Sequence, residues 1–170
     1  MRTSLAFVLL SLAFFSCSTP PGPATKLERA GVLPLEIDEK FQFRKIKQAF
    51  FNADPVPMTQ SEPVLFERQR LIWGAVDRYQ LDKRYGNYYT FFWRASARAD
   101  VTVRLEYRQA ALGNYVMALE RYYPQAKGSY VSEFDTAGDE YLESGRVTSW
   151  RVLLIVDGKI VALRQSFMWR

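Results

Sequence analysis

The stretch Trp150-Arg151-Val152-Leu153-Leu154-Ile155-Val156-Asp157-Gly158-Lys159-Ile160-Val161-Ala162-Leu163 decides the fold. Trp150, Val152, Leu154 and Val156 fall on one face of an extended chain, because side chains alternate sides along a strand. Asp157-Gly158 interrupts the apolar run, and a second run returns from Ile160 to Trp169. Asp-Gly between two such runs predicts a two-residue hairpin, since a type I′ turn needs positive φ at both central positions.

The same period recurs upstream. Val101, Val103, Leu105 and Tyr107 alternate with Thr102, Arg104, Glu106 and Arg108, which predicts a half-buried strand. Tyr89, Phe91, Trp93 and Ala95 alternate with Thr90, Arg94 and Ser96, while Phe92 makes the middle of that strand apolar on both faces. Residues 41–51 and 64–79 read as extended, separated by Asn52-Ala53-Asp54-Pro55-Val56-Pro57, whose prolines forbid regular pairing. Residues 115–122 fit a strand or a helical turn, because Tyr115, Leu119 and Tyr122 also match helical spacing. A short strand over 130–134 is bounded by Gly128 and by residues 135–138. With about seven to eight strands, no long helical pattern and no internal repeat, the expected fold is all-β, two packed antiparallel sheets.

Trp93 within Tyr88-Tyr89-Thr90-Phe91-Phe92-Trp93, together with the Trp150-to-Trp169 hairpin, resembles an immunoglobulin-like or fibronectin type III-like β-sandwich over residues 41–170. Asp139-x-Tyr141 resembles its tyrosine corner, and the missing Cys pair around Trp93 excludes antibody-type membership. The resemblance is to an architecture, shared with exported bacterial lipoproteins, and it implies no specific activity.

The N-terminus has the three parts of a secretory signal: Arg2, the apolar run from Leu5 to Phe15, and small residues at its end. That run is too short for a membrane-spanning helix, which needs about 20 apolar residues. Ser16-Cys17 resembles the end of a bacterial lipobox, with Phe14 and Phe15 departing from its usual Leu and small residue. The resemblance implies that Cys17 receives diacylglycerol and becomes the mature N-terminus. Ser18 in place of Asp resembles an outer-membrane address in bacteria that sort by the second residue. Cleavage after Ser18 is the competing reading, giving a periplasmic or secreted protein. Ser18-Thr19-Pro20-Pro21-Gly22-Pro23-Ala24-Thr25 is a Pro-rich tether that cannot pack a core. The expected organisation is therefore a signal over 1–16, a lipidated tether and lead-in over 17–40, with a short helical turn near 27–30, and a domain over 41–170.

Composition bounds the chemistry. The chain has 170 residues, with 23 Lys and Arg against 18 Asp and Glu, one Cys and no His. Without the signal, about 150 residues remain, enough to bury roughly 68–70% of the unfolded surface. The absence of His excludes Ser-His-Asp and Cys-His catalysis and every His-ligated metal site. A single Cys excludes an internal disulfide.

Carboxylates are the remaining general acids or bases. Asp135, Asp139, Glu140 and Glu143 could direct oxygens at a hard cation, or simply decorate a solvated turn. The second reading is preferred, so no catalytic residue, metal or cofactor is expected. Arg104, Glu106 and Arg108 predict a solvated sheet face with cross-strand ion pairs. Removing Arg2 leaves 22 basic against 18 acidic residues, a modest excess that would suit an anionic glycan or envelope polymer. Tyr88, Tyr89, Phe91, Phe92 and Trp93 could build a carbohydrate platform, although core is the better reading, and an outward Phe92 would be the informative exception. A small outer-membrane barrel is opposed by the short strand over 130–134 and by the Pro-rich gap before Val64. The functional expectation is an exported, lipid-anchored envelope protein with a non-catalytic binding or accessory role; the alternatives are a module that binds an anionic glycan or envelope polymer and, less favoured, a carboxylate-dependent hydrolase. Its partners would be the membrane through the Cys17 lipid, and an envelope protein or anionic glycan. Nucleic acid is not expected, because export and the lack of any binding motif oppose it.

Overall fold

The computed structural model describes residues 21–52 and 62–169. The signal, Cys17 and the start of the tether lie outside the described residues. The fold is mostly antiparallel β-sheet, as the alternation predicts, and no described helix is long and apolar enough to cross a membrane.

Two long strands organise it. β3 (Gly86–Gln109) and β4 (Met117–Ala137) form a hairpin that pairs along nearly its whole length. The sequence divides each of them into two strands, and the structure joins the halves through a bend. On β3 the bend falls between Ala95 and Val101, where the register with β4 shifts twice. On β4 it holds Pro124, which lacks an N–H, and Gln125 and Gly128, whose φ values are 49° and 107°. The Asp100 carboxylate accepts from the Gln125 backbone N–H at 2.7 Å and from its Nε2 at 3.0 Å, tying the two strands together there.

One edge of β3 carries two different partners. β2 (Phe41–Phe51) pairs with its first half, and β5 (Val147–Val156) pairs with its second. β6 (Lys159–Gln165) extends β5, and β1 (Thr25–Leu27) pairs with the start of β4. The result is one hydrogen-bonded sheet of six strands, where two sheets of seven to eight strands were expected. Residues of both halves of this sheet contribute to one buried cluster. Phe91 and Tyr89 of the first half lie 5.8 and 5.9 Å from Trp150 of the second, ring centre to ring centre. Trp150 Nε1 also donates across to Gln48 Oε1 at 3.1 Å. Trp93 is buried, stacks on Tyr130 at 4.8 Å and donates to Ser132 Oγ.

The turn of the C-terminal hairpin is as predicted, with β5 and β6 joined by Asp157 and Gly158 alone at φ 50° and 73°, but β6 stops at Gln165 and residues 166–169 form a turn instead of carrying the strand to Trp169. Other expectations are corrected. Residues 64–79 are not extended: α1 (Glu62–Ile72) and α2 (Arg78–Asp82) occupy most of that region. Good helix formers run through α1, with Glu62 and Pro63 in its first turn and Arg70 in its last. Asp77 caps α2 by accepting from the Gln80 N–H at 2.7 Å. The turn expected near 27–30 gives way to β1. Residues 34–38 also bond to β6, through Ile160 N–H to Pro34 O, Glu36 N–H to Ile160 O and Asp38 N–H to Val161 O. The sheet thus begins well before Phe41. Asp139-x-Tyr141 starts α3 (Asp139–Ser144) rather than a tyrosine corner, and Tyr141 meets Phe50 edge-on.

Candidate functional site

The Arg104 face departs most from expectation. Cross-strand ion pairs are there: Arg104 Nε to Glu120 Oε1 at 2.6 Å, and Arg151 Nε to Glu106 Oε2 at 2.5 Å. Yet the face is not solvated, since Arg104 and Glu106 retain only 8% and 2% of their exposure. Residues of the lead-in cover it. Gly31 O accepts from Arg104 Nη1 at 3.1 Å, and Leu33 packs on the Leu153, Ile155 and Ile160 cluster. At the other end, Trp169 lies under the Arg108 and Arg151 guanidinium groups, at 4.4 and 5.0 Å. Arg104, Glu106, Glu120 and Arg151 each face an opposite charge, so the array reads as a structural seam.

The acidic residues take different partners. Asp139 pairs with Lys83, and that hydrogen bond holds the Lys83 ammonium above its ordinary range. Glu140 accepts from Tyr107 Oη at 2.5 Å and faces Lys26 at 3.5 Å. Glu143 is exposed. Asp135 sits on β4 opposite Tyr88, its carboxyl raised first by desolvation and second by the Glu140 charge. Among the described residues no group of three acidic or sulfur ligands could hold a metal ion.

The aromatic strand is mainly core: Tyr89, Phe91 and Trp93 are buried. Phe92 faces the other way, half-buried between Lys45 and Val131, with the Lys47 ammonium 6.0 Å from its ring. That patch is small and already occupied by a cation. Nor is the β4 edge beside it an open template for another strand. The Val131 and Glu133 carbonyls accept from Tyr123 Oη at 3.2 Å and Arg121 Nη2 at 3.0 Å. Side chains thus blunt the edge. A groove of about 270 Å³ between β2 and β6 is lined by Phe41, Phe43, Ala162 and Leu163 together with Asp38, Glu39, Gln42 and Arg164, of which Asp38 pairs with Lys40 and Gln42 donates to Glu39 O.

What sequence reading missed is the helical connection between β2 and β3. Phe66, Trp73, Val76 and Tyr79 are exposed there by 64%, 83%, 85% and 70%, and α2 buries none of its residues. Single exposed apolar residues are ordinary, but three within seven positions beside Phe66 are not. Arg70 and Arg78 are exposed among them, and the Arg84 guanidinium lies against Gly74. The foot of this insertion is fixed. Gly138 N–H donates to Tyr85 O at 2.9 Å, Tyr88 Oη donates to Arg84 O at 2.6 Å, and Tyr85 packs on Phe51. Lys83, held by Asp139, lies 5.3 Å from the Tyr79 ring. The available signal was a Trp-Gly pair in a run that keeps no strand period while mixing aromatics with arginines. A braced base carrying exposed aromatics and cations can bind a surface.

No protein-family model, no curated protein and no solved structure matches this chain.

Proposed function

We propose that this chain is an exported envelope protein, anchored by lipid at Cys17, whose folded sheet presents a non-catalytic binding surface. The single observation that supports a binding role most is the exposed set Phe66, Trp73, Val76 and Tyr79 on a braced insertion. Apolar side chains left in water at about 25 cal/mol per Å² forgo stabilisation that burial would supply, which marks a contact surface. The signal-like run before Cys17 supports export, and the lipobox-like Ser16-Cys17 supports the anchor. An outer-membrane destination follows from Ser18 where sorting uses that position. In architecture, the folded sheet is an immunoglobulin-like sandwich in the sense that two antiparallel layers share one core, although strands β3 and β4 cross between them.

Cell fractionation tests the reading. Wild-type protein is expected in the washed membrane fraction and the Cys17→Ala chain in the soluble exported fraction. Wild-type protein recovered wholly in the soluble fraction would overturn the anchor.

A further inference from the structure

Building on the lipid-anchored reading above, we infer that the tip of the insertion, carrying Phe66, Trp73, Val76 and Tyr79, seats in the headgroup interface of the bilayer that holds Cys17. The tether joins the domain at the end that bears the insertion. Lys26 follows Cys17 by nine positions, a length of chain that spans at most about 32 Å. Its ammonium lies 3.5 Å from Glu140 of α3. The preceding residue, Asp139, holds Lys83 at the foot of α2, and Lys83 in turn sits 5.3 Å from the Tyr79 ring. Four side chains therefore connect the root of the tether to the exposed aromatics.

Composition and charge name the occupant. Trp and Tyr favour the membrane–water interface, where an apolar ring meets lipid and a polar edge meets water. Exposed Arg78 supplies a cation for anionic phospholipid headgroups. Tethering makes the contact intramolecular, so insertion too weak to recruit a free protein is still populated in an anchored one. The contact would fix which face of the sheet looks away from the membrane.

Tryptophan positions make the test selective. Of the four tryptophans, Trp93, Trp150 and Trp169 are buried at 1%, 6% and 8% exposure, and Trp73 alone is exposed. Full-length protein extracted from membranes is reconstituted into phosphatidylcholine–phosphatidylglycerol vesicles with brominated acyl chains. The Trp73 share of the emission is expected to shift to the blue, to be quenched by bromine and to lose its sensitivity to aqueous iodide. Trp73→Phe, a substitution at an exposed site, removes that response and leaves the emission of the buried three. Protein that floats with the vesicles while Trp73 stays open to iodide and untouched by bromine overturns the inference and leaves the anchor standing. Protection from iodide only on adding purified anionic envelope glycan also overturns it, in favour of a glycan surface. Intact mass of the same sample separates the two failures. If Cys17 carries no lipid the anchor falls, and the same vesicles are then added to the unmodified chain. Bromine quenching of Trp73 there upholds the membrane surface, and unchanged emission overturns it.

Discussion

Along the second half of β3 even arginine and glutamate are taken out of water, whereas along residues 62–85 a tryptophan and a valine are left in it. Arg104 and Glu106 are more deeply buried than any residue of α2. The two regions follow one rule with opposite outcomes. A charge survives burial where neighbouring strands bring its partners into register, as Glu106 opposite Arg151 and Arg104 opposite Glu120. An apolar side chain survives exposure where a braced connection holds it away from the core. Stability should therefore reside in the sheet, and contact with the surroundings in the insertion.

That comparison can be broken by substitution. The largest loss is expected in the shared core: Phe91→Ala removes the ring between Phe43, Tyr89, Phe134 and Trp150 and should cost about 3–5 kcal/mol in urea unfolding. Glu106→Ala leaves Arg104 and Arg151 short of their shared carboxylate, and about 3 kcal/mol should be lost. A loss below that of an ordinary surface ion pair, under about 1 kcal/mol, would mean the array is wetter than its burial implies. Gly158→Ala comes next. At φ 73° the new Cβ crowds its own backbone, and the melting temperature should fall by the equivalent of about 1–2 kcal/mol.

Acid sensitivity sharpens the contrast at smaller scale. The Gln125 backbone N–H, with help from the Tyr122 hydroxyl and Gln125 side chain, holds the Asp100 carboxyl below its ordinary range. Its contribution is present above the ordinary carboxylate pKa and is lost as pH falls through the lowered one. Asp100→Asn should therefore flatten the acid limb of the stability profile slightly, measured by unfolding at a series of pH values. The smallest change is expected in the insertion. Trp73→Ser and Val76→Ser should shift stability by no more than about 0.5 kcal/mol, because neither side chain packs against the core. A large loss there would show that the exposed set supports the fold, and the division between the two regions would fail.

The degree to which sequence foretold these regions follows from the range of the forces involved. Asp157-Gly158 was legible because the turn is set by two adjacent φ angles and the runs beside it. Strand alternation was equally legible, since it is local, and it put Tyr89, Phe91, Trp93, Val103 and Leu105 in the core. Alternation states which residues share a face. It does not state what lies over the other face, so the covering of Arg104 by Gly31, of the Leu153 cluster by Leu33 and of Arg151 by Trp169 had no local mark. The bend at Pro124, Gln125 and Gly128 looked like a break between strands, because a proline and a glycine end most of them; long-range pairing carries β4 through. Residues 64–79 misled for another reason. Their apolar side chains suggested an extended core segment, while the helix formers of α1 and the Asp77 cap decided the backbone. Cys17, the candidate lipid site, lies outside the described residues and rests on its sequence alone.

The anchor joins these regions into one account, and intact-mass analysis of membrane-extracted protein tests it most directly. The account predicts a mature N-terminus at Cys17 bearing diacylglycerol, absent from the Cys17→Ala chain. An unmodified N-terminus at Thr19 would contradict it.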